Sequence, residues 1–285
     1  LTMCMGFGCN AAGVIGCRIM RSTRERLIAI VTNCFVPCNG RFPLLITIAT
    51  IFFVGQFNGI VGSLVSTCVV LTVILLGIVL SLFISKILSV TLLKGESSGF
   101  ILELPPYRKP QIGSILVRSV LDRTLFVLGR AISSAIPAGI VIWIMANIQI
   151  DGTSMISYIA YFFDPIAKIM GLDGYILTAF IFGIPANEIV LPILLMMYMK
   201  SGCLIDISDS FRIGEILIEN GWTMLTAINV MIFTILHFPC MTTLLTIKKE
   251  TNSSKWVWIS FLIPTACGII VCILTNALFN IVLLV

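Results

Sequence analysis

From residue 42 to residue 85 the chain runs without a single charged side chain. A helix needs roughly 20 apolar residues to cross a bilayer. This one run is therefore long enough for two crossings, with the polar cluster at 55–59 as the turn between them. Three more charge-free runs follow, at 131–150 (carrying Pro137), 222–247 and 256–285. Only 11% of the 285 residues are charged and 58% are hydrophobic, whereas soluble domains are about a quarter charged. The expected fold class is an all-α polytopic membrane protein. The first residue is Leu1 and no basic-then-apolar leader opens the chain, so it reads as an internal piece of a longer protein. Ten cysteines would suggest a disulfide framework in a secreted domain. Here Cys68, Cys267 and Cys272 lie inside apolar runs, where a free thiol packs as a small hydrophobe.

The basic residues fall in three clusters: Arg18, Arg21, Arg24 and Arg26; Lys94, Arg108, Lys109, Arg118 and Arg123; and Lys248, Lys249 and Lys255. The positive-inside rule puts all three in the cytoplasm and leaves residues 151–173, with three Asp and one Lys, outside. A net charge of +5 spread over short loops fits orientation in a bilayer and not nucleic-acid binding. The run 175–199 is apolar around Pro185, Asn187, Glu188 and Pro192. If it crossed fully, Lys248 and Lys249 would emerge outside, so the charge pattern makes it a broken, re-entrant segment. The same reasoning applies to 27–40, between the first Arg cluster and the first expected crossing. Residues 94–124 begin with Gly, Ser and prolines, then repeat apolar residues at Ile112, Ile115, Leu116, Val120 and Leu121 beside Arg118 and Arg123. That pattern predicts an amphipathic helix on the inner membrane surface, with a solvated linker helix as the alternative. The chain divides accordingly into 1–93, the linker 94–124, and 125–285.

The two halves echo one another. FGCNAAGVIG at 7–16 matches FGIPANEIVLP at 182–192, and FVPCNGRFPLLIT at 35–47 matches HFPCMTTLLTI at 237–247, in the same order. An odd number of crossings between the copies would invert the second, giving the inverted repeats with broken helices of many secondary transporters. Pro37 and Pro239 each remove an amide donor and open a helix, and in each case the next residue is a cysteine. Unwound backbone at membrane depth is tolerated where it lines a cavity or packs on protein. A thiolate there suits a late first-row metal. The candidate metal-contacting residues are Cys38, Cys240, Glu188, Asn10, Asn187 and His237. Pro37, Arg41, Pro43, Pro185 and Pro239 are the structural residues of the breaks. Each has a plainer reading. Glu188 could pair with Lys168 or Lys200, the asparagines could cap helices or join them, and His237 could be satisfied by a carbonyl. Arg41 could hold freed carbonyls or snorkel, and Cys34 is read as packing.

GFGCNAAG, PCNGRFP, LLKGESSGFILELPPYRKP, FGIPANE and HFPCMTTLLTIKKETNSSKW together resemble the membrane domain of FeoB-type ferrous iron transporters, over residues 4 to 283. The long linker match carries most specificity. The resemblance implies a multi-pass bacterial inner-membrane protein built on two inverted Gate-type repeats, with Fe²⁺ as transported substrate. It also implies a cytoplasmic GTP-binding domain N-terminal to this chain, where GTP and Mg²⁺ would act, and small accessory proteins as partners. Association into a homo-oligomer is left open. No G-x-x-x-x-G-K-S/T motif occurs in the 285 residues, so no enzyme activity is expected of them. Where the family has Cys-Ser-Ala-Arg-Leu-Pro, this chain has Cys38-Asn39-Gly40-Arg41-Phe42-Pro43. Where the family has Phe-Ala-Lys-Glu, it keeps only Glu188, and the aromatic before the second Pro-Cys pair, Phe238, is itself preceded by His237. Two other readings stand beside transport of iron: a nucleoside carrier sharing the Gate repeat, and a membrane anchor for a GTP-binding domain.

Overall fold

The computed structural model describes residues 2–20, 22–54, 60–93, 113, 117, 125–150, 153–204 and 209–283. The expected turn at 55–59 and almost all of the linker with its amphipathic helix lie outside them. The described chain is helical apart from one short antiparallel hairpin, Gln149–Ile150 with Thr153–Ser154. The first repeat comprises α1 (Thr2–Gly8), α2 (Asn10–Gly16), α3 (Thr23–Thr32), α4 (Phe42–Ala49) and α5 (Ile60–Val90). Next come α6 (Phe126–Asn147) and α7 (Met155–Ile169). The second repeat has α8 (Gly174–Phe182), α9 (Val190–Met199), α10 (Ser210–Glu219), α11 (Met224–Leu236), α12 (Met241–Thr251) and α13 (Ser254–Leu283).

Side-chain contacts fix which ends lie together. Arg18 grips Glu250 in a two-pronged ion pair at 2.6 and 2.7 Å. Arg24 donates to the carbonyls of Ser89 and Leu93, capping α5. The first and third basic clusters and the end of α5 therefore share one face, the basic end. At the far end Phe52 stacks on Trp222 at 6.0 Å, Trp222 donates to the Tyr198 hydroxyl at 2.8 Å, and Tyr198 donates to Asp173. Asn147 joins the same end through the Gly202 carbonyl at 2.8 Å.

Two hairpins dip into the body from opposite ends. Helices α1 and α2 fold back on each other at Cys9, with Met5 against Gly16, and their base leads into Arg18 at the basic end. Helices α8 and α9 fold back through residues 183–189, with the Tyr175 and Tyr198 rings 5.7 Å apart at a base on the far end. After each hairpin comes a span broken in its middle, Thr23–Val54 in one direction and Met224–Thr251 in the other. Each broken span is followed by a long peripheral helix, α5 or α13. Two of the four described helices long and apolar enough to cross, the first broken span and α5, lie between the hairpins together with the shorter apolar helix α6. The entry of the hairpins from opposite ends makes the second repeat the inverted copy of the first.

Two expectations change. Residues 27–40 do not form a separate re-entrant segment. The chain bends at 33–41 and continues in the same direction through Thr50–Val54, one turn of wider π-type helix, as a single span. Residues 42–85 accordingly hold half of one crossing and most of another, not two. The re-entrant element of the first half is α1–α2. Helix α7 is set at 112° to α8 and does not cross either. It follows the hairpin at 149–154. Its last carbonyls, Ile169 and Met170, accept from Asn276 at 3.0 Å and Asn229 at 2.9 Å, and Asp173 then caps α8. Both ends of α7 therefore stay at the far end, opposite the basic residues.

The broken spans form the core. In Met224–Thr251, 78% of the most apolar stretch is buried, against 17% in Ile60–Val90 and 22% in Ser254–Ile281. Lipid is as apolar as Leu, so helices associate here through close packing and hydrogen bonds and not through a hydrophobic gradient. That leaves the long helices α5 and α13 to shield the two broken ones. A single cysteine introduced at position 249 or 18 should react with a membrane-impermeant thiol reagent from one side only, and one at 164 or 200 only from the other. Labelling of 249 and 164 from the same side would refute the inverted arrangement.

Candidate functional site at the helix breaks

Pro37 and Pro239 each sit in a short stretch of non-helical backbone whose carbonyls lack helical partners. In the first span the break runs through a tight turn at Asn33–Phe35 and another at Asn39–Arg41. In the second, residues 237–240 are extended between α11 and α12. Arg41, 1% exposed, ties them together. Its Nη1 donates to the Ile235 carbonyl at 2.8 Å and the Cys34 carbonyl at 3.4 Å, and its Nη2 donates to His237 and Phe238 carbonyls, both at 3.2 Å. Isolated burial of a cation costs several kcal/mol or more. Four carbonyls freed by two breaks compensate it here. Of the two readings of Arg41, the carbonyl clamp is the one found.

The hairpin tips meet these breaks. The turn Asn187–Ile189 packs on the turn Asn39–Arg41. Asn187 donates through Nδ2 to the Cys38 sulfur at 3.7 Å, while its Oδ1 is buried without a partner. The Met241 amide donates to the Ile184 carbonyl at 2.7 Å, joining the second hairpin tip to the start of α12. Glu188 is exposed at this tip and lies against Gly40, where an added Cβ would sit 3.1 Å from the Glu188 Cγ. Any other residue at position 40 would push the carboxylate aside. Lys168 pairs instead with Asp164 at 2.6 Å, and Glu188 is in no ion pair among the described residues. The structural pairing considered for it is not found.

The other expected residues are less clustered. Cys240 hydrogen-bonds to the Thr243 hydroxyl at 3.3 Å and lies within electrostatic reach of Cys38 and Cys9. Asn10, with its amide nitrogen turned inward, donates to the Val36 and Gly6 carbonyls at 3.1 and 3.2 Å, tying the first hairpin to the first break. His237 points its Nδ1 at the Phe233 and Thr234 carbonyls, at 3.0 and 2.9 Å. Those acceptors make Nδ1 the protonated nitrogen. The Nε2 lone pair is left buried and unpartnered, with the rings of Phe180, Phe233 and Phe238 packed around the imidazole. Pro43 sits in the first turn of α4, where its missing N–H is harmless. Among the described residues no three His, Cys, Asp or Glu side chains gather closely enough to cage a metal ion.

Sequence reasoning missed three residues. Asn33 wedges between the two arms of the first hairpin. A Cβ on Gly6 or on Gly13 would come within 2.6 Å of its Oδ1, and its Nδ2 donates to the Asn10 carbonyl at 3.0 Å. Thr243 partners Cys240, and Cys9 occupies the first hairpin's tip. The signals were present, since Asn33 lies four residues before Pro37 and Cys9 directly precedes Asn10.

Residues 70–122 match the family described as Ferrous iron transport protein B C terminus, and residues 128–254 match Gate, described as Nucleoside recognition. The Fe(2+) transporter FeoB of Staphylococcus aureus (strain MSSA476) is 28% identical over 271 residues, covering 93% of this chain and 38% of that protein. The chain is similar to FeoB proteins over nearly its whole length. The FeoB of Methanocaldococcus jannaschii is 25% identical over 299 residues, 98% of this chain and 42% of its own length. The Fe(2+) transport protein A/Fe(2+) transporter FeoB fusion protein of Porphyromonas gingivalis is 26% identical over 318 residues, with 94% and 36% covered. The chain thus spans about two-fifths of such FeoB relatives. No solved structure matches it. The Gate match contains the second hairpin and both halves of the second broken span.

Arg41→Leu should lower stability by about 2–5 kcal/mol, because four buried carbonyls lose their donor at roughly 1–3 kcal/mol each, partly offset by the desolvation cost of the buried cation that is removed with it. Arg18→Ala, which removes an exposed ion pair, should cost no more than about 1 kcal/mol. Thermal unfolding of the full-length protein in detergent compares the two. Equal melting temperatures would remove Arg41 from its central role.

Proposed function

We propose that this chain forms the membrane path for uptake of Fe²⁺ across a bacterial cytoplasmic membrane, with the helix breaks as the passage. The observation that supports this most directly is the meeting of a hairpin tip with both broken spans. There Cys38 touches Asn187, Glu188 lies against Gly40, and Arg41 clamps the backbone of both breaks. Soft sulfur and freed carbonyl oxygens suit a late first-row cation shedding its water. An ion in transit needs successive contacts that hold it weakly enough to release it, and not a closed cage. The scattered placement of Cys38, Cys240, Asn187 and Glu188 agrees with that requirement. The basic end is cytoplasmic on the charge rule. GTP and Mg²⁺ enter through a cytoplasmic domain outside this chain, which performs no catalysis itself, and small accessory proteins act on that side.

A nucleoside carrier is the second reading, favoured by the description of the Gate match. It would need aromatic faces free for stacking at the breaks. Phe180, Phe233 and Phe238 instead pack on His237 and on neighbouring rings.

Uptake of radioactive Fe²⁺ by cells carrying the full-length protein tests the reading. Cys38→Ser and Cys240→Ser should each reduce uptake at normal expression. If both sulfurs act on one ion, the double variant should be little worse than the worse single one, since coupled residues are not additive. Cys68→Ser, on the outer face of α5, should transport normally. Unimpaired uptake by the double variant would remove the sulfurs from the path. Glu188→Gln should keep the fold and lower uptake, because an unpaired intramembrane carboxylate is a functional group. Full uptake would show the charge to be dispensable.

A further inference from the structure

A crevice of about 510 Å³ opens on the flank of the molecule between α6 and the second repeat. Pro137, Ala138 and Val141 of α6 form one wall, and Ile184, Pro185 and Met241 form the other. All of these lie at mid-depth. Pro137 is near the middle of α6, Ile184 and Pro185 are at the inner tip of a hairpin entering from the far end, and Met241 starts the second half of a broken span. Among the described residues Ser133 is the one polar side chain on the lining. A buried water needs two to four polar partners, whereas apolar cavities stay dry and accept apolar guests. On the outer side of α6, Ile136 and Ile140 are 58% and 55% exposed. At that depth such a face borders hydrocarbon.

We propose that the crevice is an acyl-chain site, in which one tail of a bilayer phospholipid lies between α6 and the two helix breaks of the second repeat. The tail would rest against Ile184 and Met241 together, on either side of the 2.7 Å hydrogen bond that joins the hairpin tip to α12. Lipid is the occupant because the opening is apolar, lies at membrane mid-depth and faces outward past the exposed side of α6. The inference does not depend on which solute the protein carries.

The test uses the full-length protein in bilayer nanodiscs containing phosphatidylglycerol with a photoactivatable diazirine near the middle of one tail. Cross-linked residues are mapped by mass spectrometry. Ile184, Phe182 and Met241 should be labelled as strongly as Leu75 and Leu82 on the exposed face of α5. Ala138→Trp fills the crevice and should cut labelling of Ile184, Phe182 and Met241 several-fold while α5 labelling stays unchanged. If Ala138→Trp fails to run as a folded species on gel filtration, Ala138→Leu, with a smaller intrusion, should give a partial loss at the same three residues. Background labelling of the crevice in the unsubstituted protein would overturn the proposal and mean that another part of the protein covers it. Labelling indifferent to a folded Ala138→Trp variant would overturn it equally.

Discussion

A guanidinium buried at the centre of an apolar body holds this architecture together. Among the described residues Arg41 is the one side chain bonded to carbonyls of both broken spans. Without it, the openings made by Pro37 and Pro239 would leave backbone oxygens in a medium that offers no water. With it, each break becomes tolerable only because the other is present. The donor lies in the first break, and three of its four acceptors lie in the second. Lys could carry the charge but not the planar fork that reaches four oxygens from one position.

Around this clamp the hairpins act as wedges. The first is fitted to the break by Asn33, held between Gly6 and Gly13, and by Asn10, which reaches the Val36 carbonyl. The second is fitted by Asn187 on Cys38 and by the Ile184 carbonyl on the Met241 amide. At the far end its base is pinned by the chain Trp222 to Tyr198 to Asp173. The buried guanidinium of Arg41 and the buried amides of Asn10, Asn33 and Asn187 thus join broken backbone to neighbouring elements. Among the described residues Glu188, at the second hairpin tip, takes part in no ion pair and leans on Gly40.

Much of this could be read from the residues. Charge-free runs pointed to the crossings, and the first and third basic clusters gave a common face that Arg18 with Glu250 bears out, while the second cluster lies outside the described residues. The echo of FG…N and F…PC located both hairpin tips and both breaks, because each demands small or ring-constrained residues that stand out in apolar surroundings. The extent of the first broken span was misjudged. A Pro-Cys pair announces a break but not whether the chain turns back or resumes its course. That is decided by what the freed carbonyls bond to, and their donor Arg41 acts across nearly two hundred residues. The choice for Glu188 was likewise out of reach, since nothing in the run of residues says that Gly40 will lie beside it or that Lys168 will prefer Asp164.

The shared clamp also governs how the core can move. If α11 and α12 were to straighten, the His237 and Phe238 carbonyls would return to helical partners, while Pro239, which has no N–H, would still leave the Ile235 carbonyl free. Arg41 would then keep two of its four acceptors, the Cys34 and Ile235 carbonyls. The reverse holds if Arg41 withdraws with a closing first span. Packed cores shift between discrete arrangements and do not deform smoothly. Because one guanidinium holds carbonyls of both spans, a change in the shape of either break alters the hydrogen bonding of the other.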